Sequence, residues 1–539
     1  MNWGNVALRL AFAYSPAPEE GSWLNKLLGN AGKSSIRAGF GIYYDHFGEG
    51  LITSYSQMGS FSLSSSLRNP VSSLTADTTP RFTGLHNLPN LLPSPSGSLT
   101  YPQTPSDNPF TTGFAVTTGI DDSIKTPYSE AFNFSLQREL PKGFTFEADY
   151  VGRLGRHQLQ SLDLAQPLDL VDPQSGMDYY AAATILSKSY DNGVSEQAIP
   201  TVAYWEDLFA DAKGTDVAGT GNPGNTATQN IYALWLAGGI RGNETAALYD
   251  MDILCTPGCG GKSGRYWPLQ YSTLFSTASI GNSSYNAGQF ILRHPMSHGV
   301  QVDLSYTYSR SLDLGSDTES NPAQTSSTFG YILDAWHPFK NYSISDFNTT
   351  HLLTADWILE LPVGQGQPLL GSSSRLINTL VGGWNLTGIT RVSSGLPFSV
   401  SDGLDADFGT NWAYSSYMIK TGPIQMHEHT DQNGSPQAFT NPLTALMNMR
   451  QPYPGEIGER NKFIGDGYFD VDSGLHKNFH VTDKYSFKFA WEVFSVTNSV
   501  RFDPHAINSS STAGAQLGVY SAPTLVAARR MQFSGRIEF

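Results

Sequence analysis

The chain has 539 residues, of which 15% are charged and 12% aromatic, with a formal net charge of −15 at pH 7. The charged share is well below the roughly 25% of ordinary globular domains. The acidic balance argues against nucleic acid as a partner, because phosphate binding requires a basic surface. No run approaches the ~18 apolar residues of a transmembrane helix, but a transmembrane β-barrel hides its apolar face in alternation.

The chain begins without an export signal. Residues 1–5 offer neither a basic n-region nor an apolar h-region, and residues 5–14 already alternate like a strand. The rest of the chain has the character of an exported protein. We therefore interpret the sequence as a fragment of a longer chain.

Eleven segments show the period-2 alternation that predicts a β-strand with one wet and one apolar face. In one of them, Val300 and Val302 point one way while Gln301 and Asp303 point the other. The predicted strands are residues 5–14, 34–44, 129–139, 143–154, 284–294, 299–310, 350–361, 383–393, 468–479, 484–497 and 529–539.

The connections between these strands are of two alternating kinds. Residues 140–143, 295–298 and 480–483 have turn chemistry on a hairpin scale, and residues 15–33 and 362–382 run to about twenty residues. The long loops are residues 45–128, 155–283, 311–349, 394–467 and 498–528. Short periplasmic turns and long extracellular loops are typical of outer-membrane barrels. The predicted fold is all-β, an antiparallel transmembrane β-barrel.

The last strand fits the ~9–11 residues that a tilted transmembrane strand needs. Met531, Phe533, Ile537 and Phe539 share its apolar face, and the chain ends on the aromatic residue. Outer-membrane barrels habitually end in this way. We predict that these four residues form the C-terminal signal for the barrel-assembly machinery.

The strand count predicts an incomplete barrel. If the short turns are periplasmic, the first and eleventh strands run in the same direction and cannot close as antiparallel neighbours. An open edge is not tolerated in lipid, because its backbone groups would have no partners. An odd number of strands is therefore expected before Met1. The chain alone is expected to form an open half-barrel or a strained parallel closure.

Eight motifs form a set that is specific when taken together. They are residues 126–141 (TPYSEAFNFSLQRELP), 146–152 (FEADYVG), 285–293 (YNAGQFILR), 305–313 (SYTYSRSLD), 345–348 (SDFN), 382–388 (GGWNLTG), 394–398 (SGLPF) and 494–498 (FSVTN). The set resembles the barrel of the Oar-like TonB-dependent receptors. The resemblance implies a barrel of about 22 strands, preceded by a plug, a TonB-contacting segment and often a carboxypeptidase-regulatory-like β-sandwich.

The resemblance makes residues 1–539 the C-terminal part of one outer-membrane barrel domain. The expected function is uptake of a scarce solute across the bacterial outer membrane. The expected partners are outer-membrane lipid and lipopolysaccharide, the barrel-assembly machinery, and the plug and TonB through the missing N-terminal region. No cofactor and no enzymatic activity are expected. Two alternatives remain: a non-transporting surface or adhesion barrel, and a secreted soluble β-sandwich protein.

Charged residues on the wet sides of the strands are candidates for a polar lumen. They are Glu147, Asp149, Asp303, Asp356, Glu360, Arg391, Asp470, Asp472, Lys488, Glu492 and Arg536. In the resembled family such residues touch the plug or line the path, but a wide lumen is also simply polar. Aromatic residues suited to interfacial girdles are Tyr14, Tyr43, Tyr150, Tyr306, Trp357, Trp384 and Trp491. Ordinary packing is an equally good interpretation for some of them.

The long loops carry weaker signals. Cys255 and Cys259, the only cysteines, predict a disulfide that closes a small loop in an exported protein. Aromatic pairs such as Tyr204 and Trp205, together with residues 266–267 and 412–417, suit a sugar or peptide ligand.

Two loop clusters offer metal-ligand chemistry. His427 and His429 with Asp431 could hold a divalent metal, and the aspartates of residues 402–407 suggest calcium. The first cluster does not establish three ligands at a fixed geometry, and the spacing of the second is not that of an EF-hand. An ordinary solvated loop is the favoured interpretation of both.

Overall fold

The structure is a computed structural model, and it describes residues 4–45, 116–164, 171–217, 219–237, 247–248, 251–252, 273–316, 331–402, 415–480, 482, 484–521 and 528–539. Its main feature is one long antiparallel sheet. The eleven strands of that sheet are β1 (Arg9–Tyr14), β2 (Ser34–Tyr44), β3 (Tyr128–Glu139), β4 (Thr145–Asp163), β5 (Thr273–Ser297), β6 (Val300–Asp313), β7 (His351–Glu360), β8 (Trp384–Ser393), β9 (Tyr468–His480), β10 (Ser486–Phe494) and β11 (Arg530–Glu538). The α-helices that the structure describes from end to end are α1 (Trp23–Leu28), α2 (Tyr179–Asp191), α3 (Ala203–Leu208), α4 (Ala227–Ala237), α5 (Arg375–Val381) and α6 (Pro442–Met447).

Each strand pairs with the next one along the chain, from β1 to β11. All eleven predicted strands are confirmed. Among the described residues, β1 pairs only with β2 and β11 only with β10, so the sheet is open, as expected. None of the described helices is long and apolar enough to cross a membrane.

The register gives the sheet two distinct faces, because directly opposite residues in antiparallel strands share a face. Asp303 lies opposite Asp356, and Trp357 lies opposite Gly388. The polar face carries Arg37, Glu147, Asp303, Asp356, Arg391 and Lys488, while the apolar face carries Phe132, Tyr150, Tyr306, Trp357, Trp491 and Phe533.

Aromatic side chains pack across neighbouring strands of the apolar face. The rings of Trp491 and Phe533 are stacked with centroids 5.9 Å apart. The indole of Trp357 covers Gly388, where an added Cβ would lie 2.1 Å from the ring. The girdle prediction is wrong for Tyr43, which lies opposite Ser129 on the polar face, because it is one residue out of phase with the apolar positions of β2.

The connections at one rim, the short-turn rim, are compact. His298 and Gly299 join β5 to β6 with φ of 51° and 77°, the two left-handed residues of a type I′ hairpin. A 3-10 turn at Pro141–Gly143 joins β3 to β4. The two longer connections each contain one helix, α1 before β2 and α5 before β8.

At the opposite, long-loop rim, β4 and β5 extend well into residues predicted to be loop. They keep pairing as far as Asp163 and Phe275, through register shifts after Gly155 and Gln158. The bulge, with His157 at φ 53°, interrupts the alternation and hides the continuation in the sequence. Strands of 19 and 25 residues exceed the ~9–11 residues needed to cross a membrane, so the paired ends of β4 and β5 project beyond the membrane.

Three short strands join the projecting part of the sheet. Val116–Ile120 runs parallel to β5, Tyr331–Ile332 runs parallel to β4, and Ser343–Ile344 pairs with the end of β6. Leu162, Leu314 and Ile332 are buried among them. The long loops therefore begin as continuations of the sheet.

Residues 171–217 and 219–237 form a helical cluster with a core of its own. Helices α2, α3 and α4 and the 3-10 turns Glu196–Ala198 and Ala210–Ala212 pack around Tyr204 and Trp205, each 0% exposed. Asp178 caps α2 by accepting a hydrogen bond from the Ala181 amide. The suggestion that Tyr204 and Trp205 bind a ligand is wrong, because both rings fill this core.

A second loop core lies between β8 and β11. The rings of Phe398, Phe439 and Phe463 meet with centroids 5.5 to 6.1 Å apart, and α6 packs beside them. The short elements there are Pro397–Phe398 with Phe463–Ile464, Ile419–Lys420 with Met449–Arg450, Met426–Thr430 with Pro436–Phe439, and the 3-10 turns Pro504–Ala506 and Ser511–Gln516. A further 3-10 turn, Pro338–Asn341, lies between β6 and β7.

Candidate functional site

A cavity of about 1150 Å³ lies against the polar face of β1 to β6. Its wall includes Gly41, Asn133, Arg153 and Tyr285, all polar-face positions in the register. The polar face is therefore concave here. An inward polar face and an outward apolar face are the arrangement of a transmembrane barrel around a wet lumen.

The cavity lies toward the long-loop rim. Its lining includes Arg9 at the start of β1, Asp45 just after β2, and Asp313 at the end of β6. At the same rim, the Gln160 side chain donates a hydrogen bond of 2.9 Å to the Gly315 carbonyl. Phe347, which is 61% exposed, adds an aromatic surface to the same wall.

Charged groups of both signs line the cavity. The Arg9 guanidinium lies 4.8 Å from the ring centroid of Tyr43, a cation–π distance. Arg153 stands on the same face, four residues beyond Asp149 on β4. None of the eleven charged lumen candidates lines this cavity. The alternation that singled out Glu147 and Asp149 also reaches Arg153, so the signal was present in the sequence.

The register nevertheless places all eleven candidates on the polar face. They are Glu147, Asp149, Asp303, Asp356, Glu360, Arg391, Asp470, Asp472, Lys488, Glu492 and Arg536. Their role in a solute path stays a prediction.

Several of these charges are brought together. Arg293 lies 3.5 Å from Glu147 and 3.5 Å from Asp303, which itself lies opposite Asp356. Farther along the sheet, Arg391 lies opposite Asp470. The polar face thus carries a partly compensated row of charges.

The same pairing continues at the last strands. The ammonium group of Lys488 lies 2.8 Å from Glu538, and Arg536 lies 3.6 Å from the same carboxylate. Asp472 accepts a hydrogen bond of 2.8 Å from the Ser495 amide.

A buried ion cluster at the long-loop rim ties three segments of the chain together. Arg460 forms ion pairs of 2.8 Å with Asp313 and 2.7 Å with Asp346, and its side chain is only 5% exposed. Asn461 donates hydrogen bonds of 2.6 Å to Asp346 and to the Ile344 carbonyl. This cluster, the Arg460 hub, explains the conformation of the SDFN motif, in which Asp346 is the acidic residue.

The electrostatics of the hub keep Arg460 charged. Burial alone would lower the pKa of its guanidinium, but the facing carboxylates of Asp346 and Asp313 more than offset this and raise the pKa. Burial also raises the pKa of neighbouring Tyr417 to about 12. A doubly paired arginine in a desolvated site is costly to break, because two buried carboxylates would lose their partner.

The candidate metal ligands do not converge. Among the described residues there is no group of three or more His, Cys, Asp or Glu side chains able to hold a metal ion. Asp431 instead closes its own turn, accepting from the Asn433 and Ser435 amides at 2.9 and 2.7 Å. Cys255, Cys259, Asp405 and Asp407 lie outside the described residues, as do residues 266–267 and 412–414.

The last strand presents the predicted assembly residues in one row. Met531, Phe533 and Ile537 lie on the apolar face of β11 opposite Val493, Trp491 and Phe487 of β10. Phe539 follows the strand and is 96% exposed. Their role as an assembly signal stays a prediction.

A family model described as an outer membrane beta barrel domain matches residues 1–532. The chain belongs to this family. It is an antiparallel β-barrel protein of the bacterial outer membrane, and the soluble β-sandwich alternative falls away. A comparison with curated protein sequences gives no match.

Solved structures similar to this barrel chain include outer-membrane transporters and receptors. The transporter YddB from Escherichia coli is 9% identical, with a TM-score of 0.34, over 94% of this chain and 38% of that one. The siderophore receptor PiuA from Acinetobacter baumannii is 7% identical, with a TM-score of 0.32, over 98% and 35%. The FrpB iron transporter from Neisseria meningitidis is 7% identical, with a TM-score of 0.31, over 98% and 39%.

The barrel chain spans under two fifths of the length of each of these structures. Identities and TM-scores this low support no statement about what it binds.

Proposed function

We propose that this chain is the C-terminal barrel portion of an Oar-like TonB-dependent receptor that imports a scarce solute. The observation that carries the proposal is the cavity on the concave polar face, toward the long-loop rim, with Arg9 and Arg153 in its wall. A solute captured by the outer loops would reach this cavity first. The motif set shared with Oar-like receptors supports the assignment to that family.

In the complete protein, further strands would pair with the free edges of β1 and β11, because an open edge cannot be left unpaired in lipid. A plug would occupy the polar lumen and pass the action of TonB to the solute path. Outer-membrane lipid and lipopolysaccharide would surround the apolar face, and the barrel-assembly machinery would insert the chain. We assign it no enzymatic activity.

Two of the aromatic loop residues that suggested a sugar or peptide ligand, Tyr204 and Trp205, are buried in the core of the helical cluster. The lining that remains is mixed, with polar groups beside apolar side chains such as Val151 and Phe347, and it favours a solute that carries both hydrogen-bonding groups and apolar surface. Arg153 and Arg9 give the cavity its cationic side, and Asn133 adds an amide.

The test compares uptake by cells with the complete protein and by cells lacking it, across a panel of sole carbon and iron sources, with TonB intact or inactivated. The Arg153→Cys variant, labelled with a bulky maleimide, is expected to lose uptake. The Tyr150→Cys variant, labelled on the apolar face of the same strand, is the matched control and should keep uptake unchanged.

Growth on every source without dependence on either the protein or TonB would overturn the transport proposal. Surface binding of the loops to cells or matrix, without uptake, would then support the adhesion alternative.

A further inference from the structure

Arginine and lysine side chains occupy four apolar-face positions of the described strands, where lipid contact would normally exclude them. Two of them, Arg156 and Arg310, lie toward the long-loop rim. Arg138 lies opposite Ser34 and Phe146, and Lys477 lies opposite Trp384 and Phe489. Both are near the short-turn rim. The reason for their position is found in the two helices of that rim.

Arg138 and Ser34 hold the end of α1. The Arg138 guanidinium donates to the Leu27 carbonyl, and the Ser34 hydroxyl donates to the Leu28 carbonyl. Carbonyl groups in the last turn of a helix have no partner within the helix. Both donors stand on the apolar face, so α1 is fastened to that side of the sheet.

The same arrangement recurs at α5, on unrelated strands. The Trp384 indole donates a hydrogen bond of 2.8 Å to the Leu380 carbonyl, and the Lys477 ammonium donates to the Gly382 carbonyl. Both donors again belong to the apolar face. Lys477 also lies 4.8 Å from the ring centroid of Phe479, so its charge is shielded by aromatic surface.

Both helices are amphipathic and leave their apolar sides uncovered. On α1, Trp23 and Leu27 are 72% and 54% exposed; on α5, Leu376 and Leu380 are 81% and 68% exposed. At 100° per residue the apolar residues of each helix span an arc of about 140°. Each helix begins with a serine cap, Ser22 or Ser374, so these short helices are well defined.

We propose that α1 and α5 are interfacial helices that insert their apolar sides into the periplasmic leaflet of the outer membrane. Their apolar surface continues the lipid-facing side of the sheet at the depth where the hydrocarbon gives way to headgroups. Trp23 and Trp384 suit that depth, and Lys26 and Arg375 stand on the polar sides, facing headgroups and water. The occupant is phospholipid, because these helices flank the face that the sheet turns to lipid.

The proposal rests on the orientation of the sheet in the membrane, not on solute transport. It is tested by spin labels on the complete protein in isolated outer membranes, after Cys255→Ser and Cys259→Ser. Labels are placed by Trp23→Cys and Leu376→Cys on the apolar sides. The matched controls on the polar sides are Lys26→Cys and Thr379→Cys, and Ala355→Cys on the apolar face of β7 is the lipid reference.

We expect labels at positions 23 and 376 to be several-fold more accessible to oxygen than to a water-soluble nickel chelate, as at the lipid reference, with the reverse at the controls. Accessibility to the chelate at positions 23 and 376 equal to the controls would overturn the proposal. Protection from both reagents would also overturn it, because a protein partner would then cover the helices.

A second measurement covers the case in which the cysteine variants fail to assemble, as judged by heat-modifiable gel mobility. Brominated phospholipids should quench a fluorescence component that is present in the wild type and missing in Trp23→Phe. An equal degree of quenching in both proteins would contradict lipid contact at α1.

Discussion

A single residue, Arg460, connects the end of β6, the SDFN motif and the loop that precedes β9. Replacing it by alanine leaves the carboxylates of Asp313 and Asp346 buried without a counter-charge. Breaking a buried pair in this way costs about 3–5 kcal/mol. We expect Arg460→Ala to remove hydrogen-exchange protection from the Ser345 amide, which donates to the Ser311 carbonyl at 3.0 Å.

The chain offers a matched control for this variant. Arg450 also pairs with a carboxylate at 2.7 Å, that of Glu456, but the two side chains are 29% and 41% exposed. Such a pair contributes about 0–1 kcal/mol. Equal loss of protection at the Ser345 amide in Arg450→Ala and Arg460→Ala would show that the buried ion pairs of the Arg460 hub contribute no more to stability than an exposed pair.

Because Tyr417 is buried in its neutral form, the stability of the outer loops should decrease at alkaline pH. Burial raises its pKa from 10.0 to about 12 in the folded chain. Below pH 10 both states are neutral and the contribution is fully present. Between pH 10 and 12 the unfolded chain loses its proton first, so the free energy of unfolding falls by about 1.4 kcal/mol per pH unit. We expect Tyr417→Phe to flatten this decline in near-UV circular dichroism; an unchanged slope would contradict it.

At the scale of one element, β8 depends on a close contact between strands. A Cβ at Gly388 would lie 2.1 Å from the Trp357 ring, so Gly388→Ala must displace an indole from the apolar face. Overpacking of this kind costs about 1–3 kcal/mol. We expect a lower yield of the heat-modifiable form. Thr390→Ala, on the same face and strand, should assemble normally, and equal yields would refute the contact's importance.

The helical cluster should be able to unfold while the barrel stays folded. Trp205 is 0% exposed and packs edge-on to Tyr204, with centroids 4.8 Å apart. Truncating a buried tryptophan costs about 3–5 kcal/mol. We expect Trp205→Ala to open residues 171–237 to protease on intact cells while the barrel keeps its heat-modifiable mobility. Trp336→Ala, at a ring 49% exposed, is the control; loss of the barrel with the cluster would contradict their independence.

The strands could be predicted from the sequence and the loop folds could not, for a physical reason. A strand such as β6, between lipid and water, must alternate at every residue, so its pattern is complete locally. The cluster around Trp205 depends on contacts between α2, α3 and α4, and short helices gain most of their stability from such packing. The bulge at His157 likewise breaks the pattern where pairing continues. The Arg460 hub joins residues 147 positions apart, which no local pattern announces.

The residues that line the cavity could be predicted from the sequence only in part. Arg153 belongs to the same alternating row as Glu147 and Asp149, so its face was predictable from β4 alone. That Arg9 and Asp45 meet it across several strands follows from the pairing order and from the curvature of the sheet. The alternation in the sequence determines which face of the sheet a residue occupies. The pairing order and curvature of the sheet determine which residues meet around the cavity.

At the scale of the whole molecule, the two free edges decide how the chain behaves. Within the part of the chain that the structure describes, β1 and β11 each leave one row of backbone groups without a partner strand, and their common direction prevents antiparallel closure with each other. Each unsatisfied backbone group in hydrocarbon costs several kcal/mol. Residues 1–539, exported alone behind a foreign signal, are therefore expected to be degraded or aggregated. The longer receptor proposed above, produced in the same cells, should show heat-modifiable mobility in the outer-membrane fraction. A stable, heat-modifiable barrel formed by residues 1–539 alone would show that the chain closes without further strands, by pairing with a second copy or by refolding its edges.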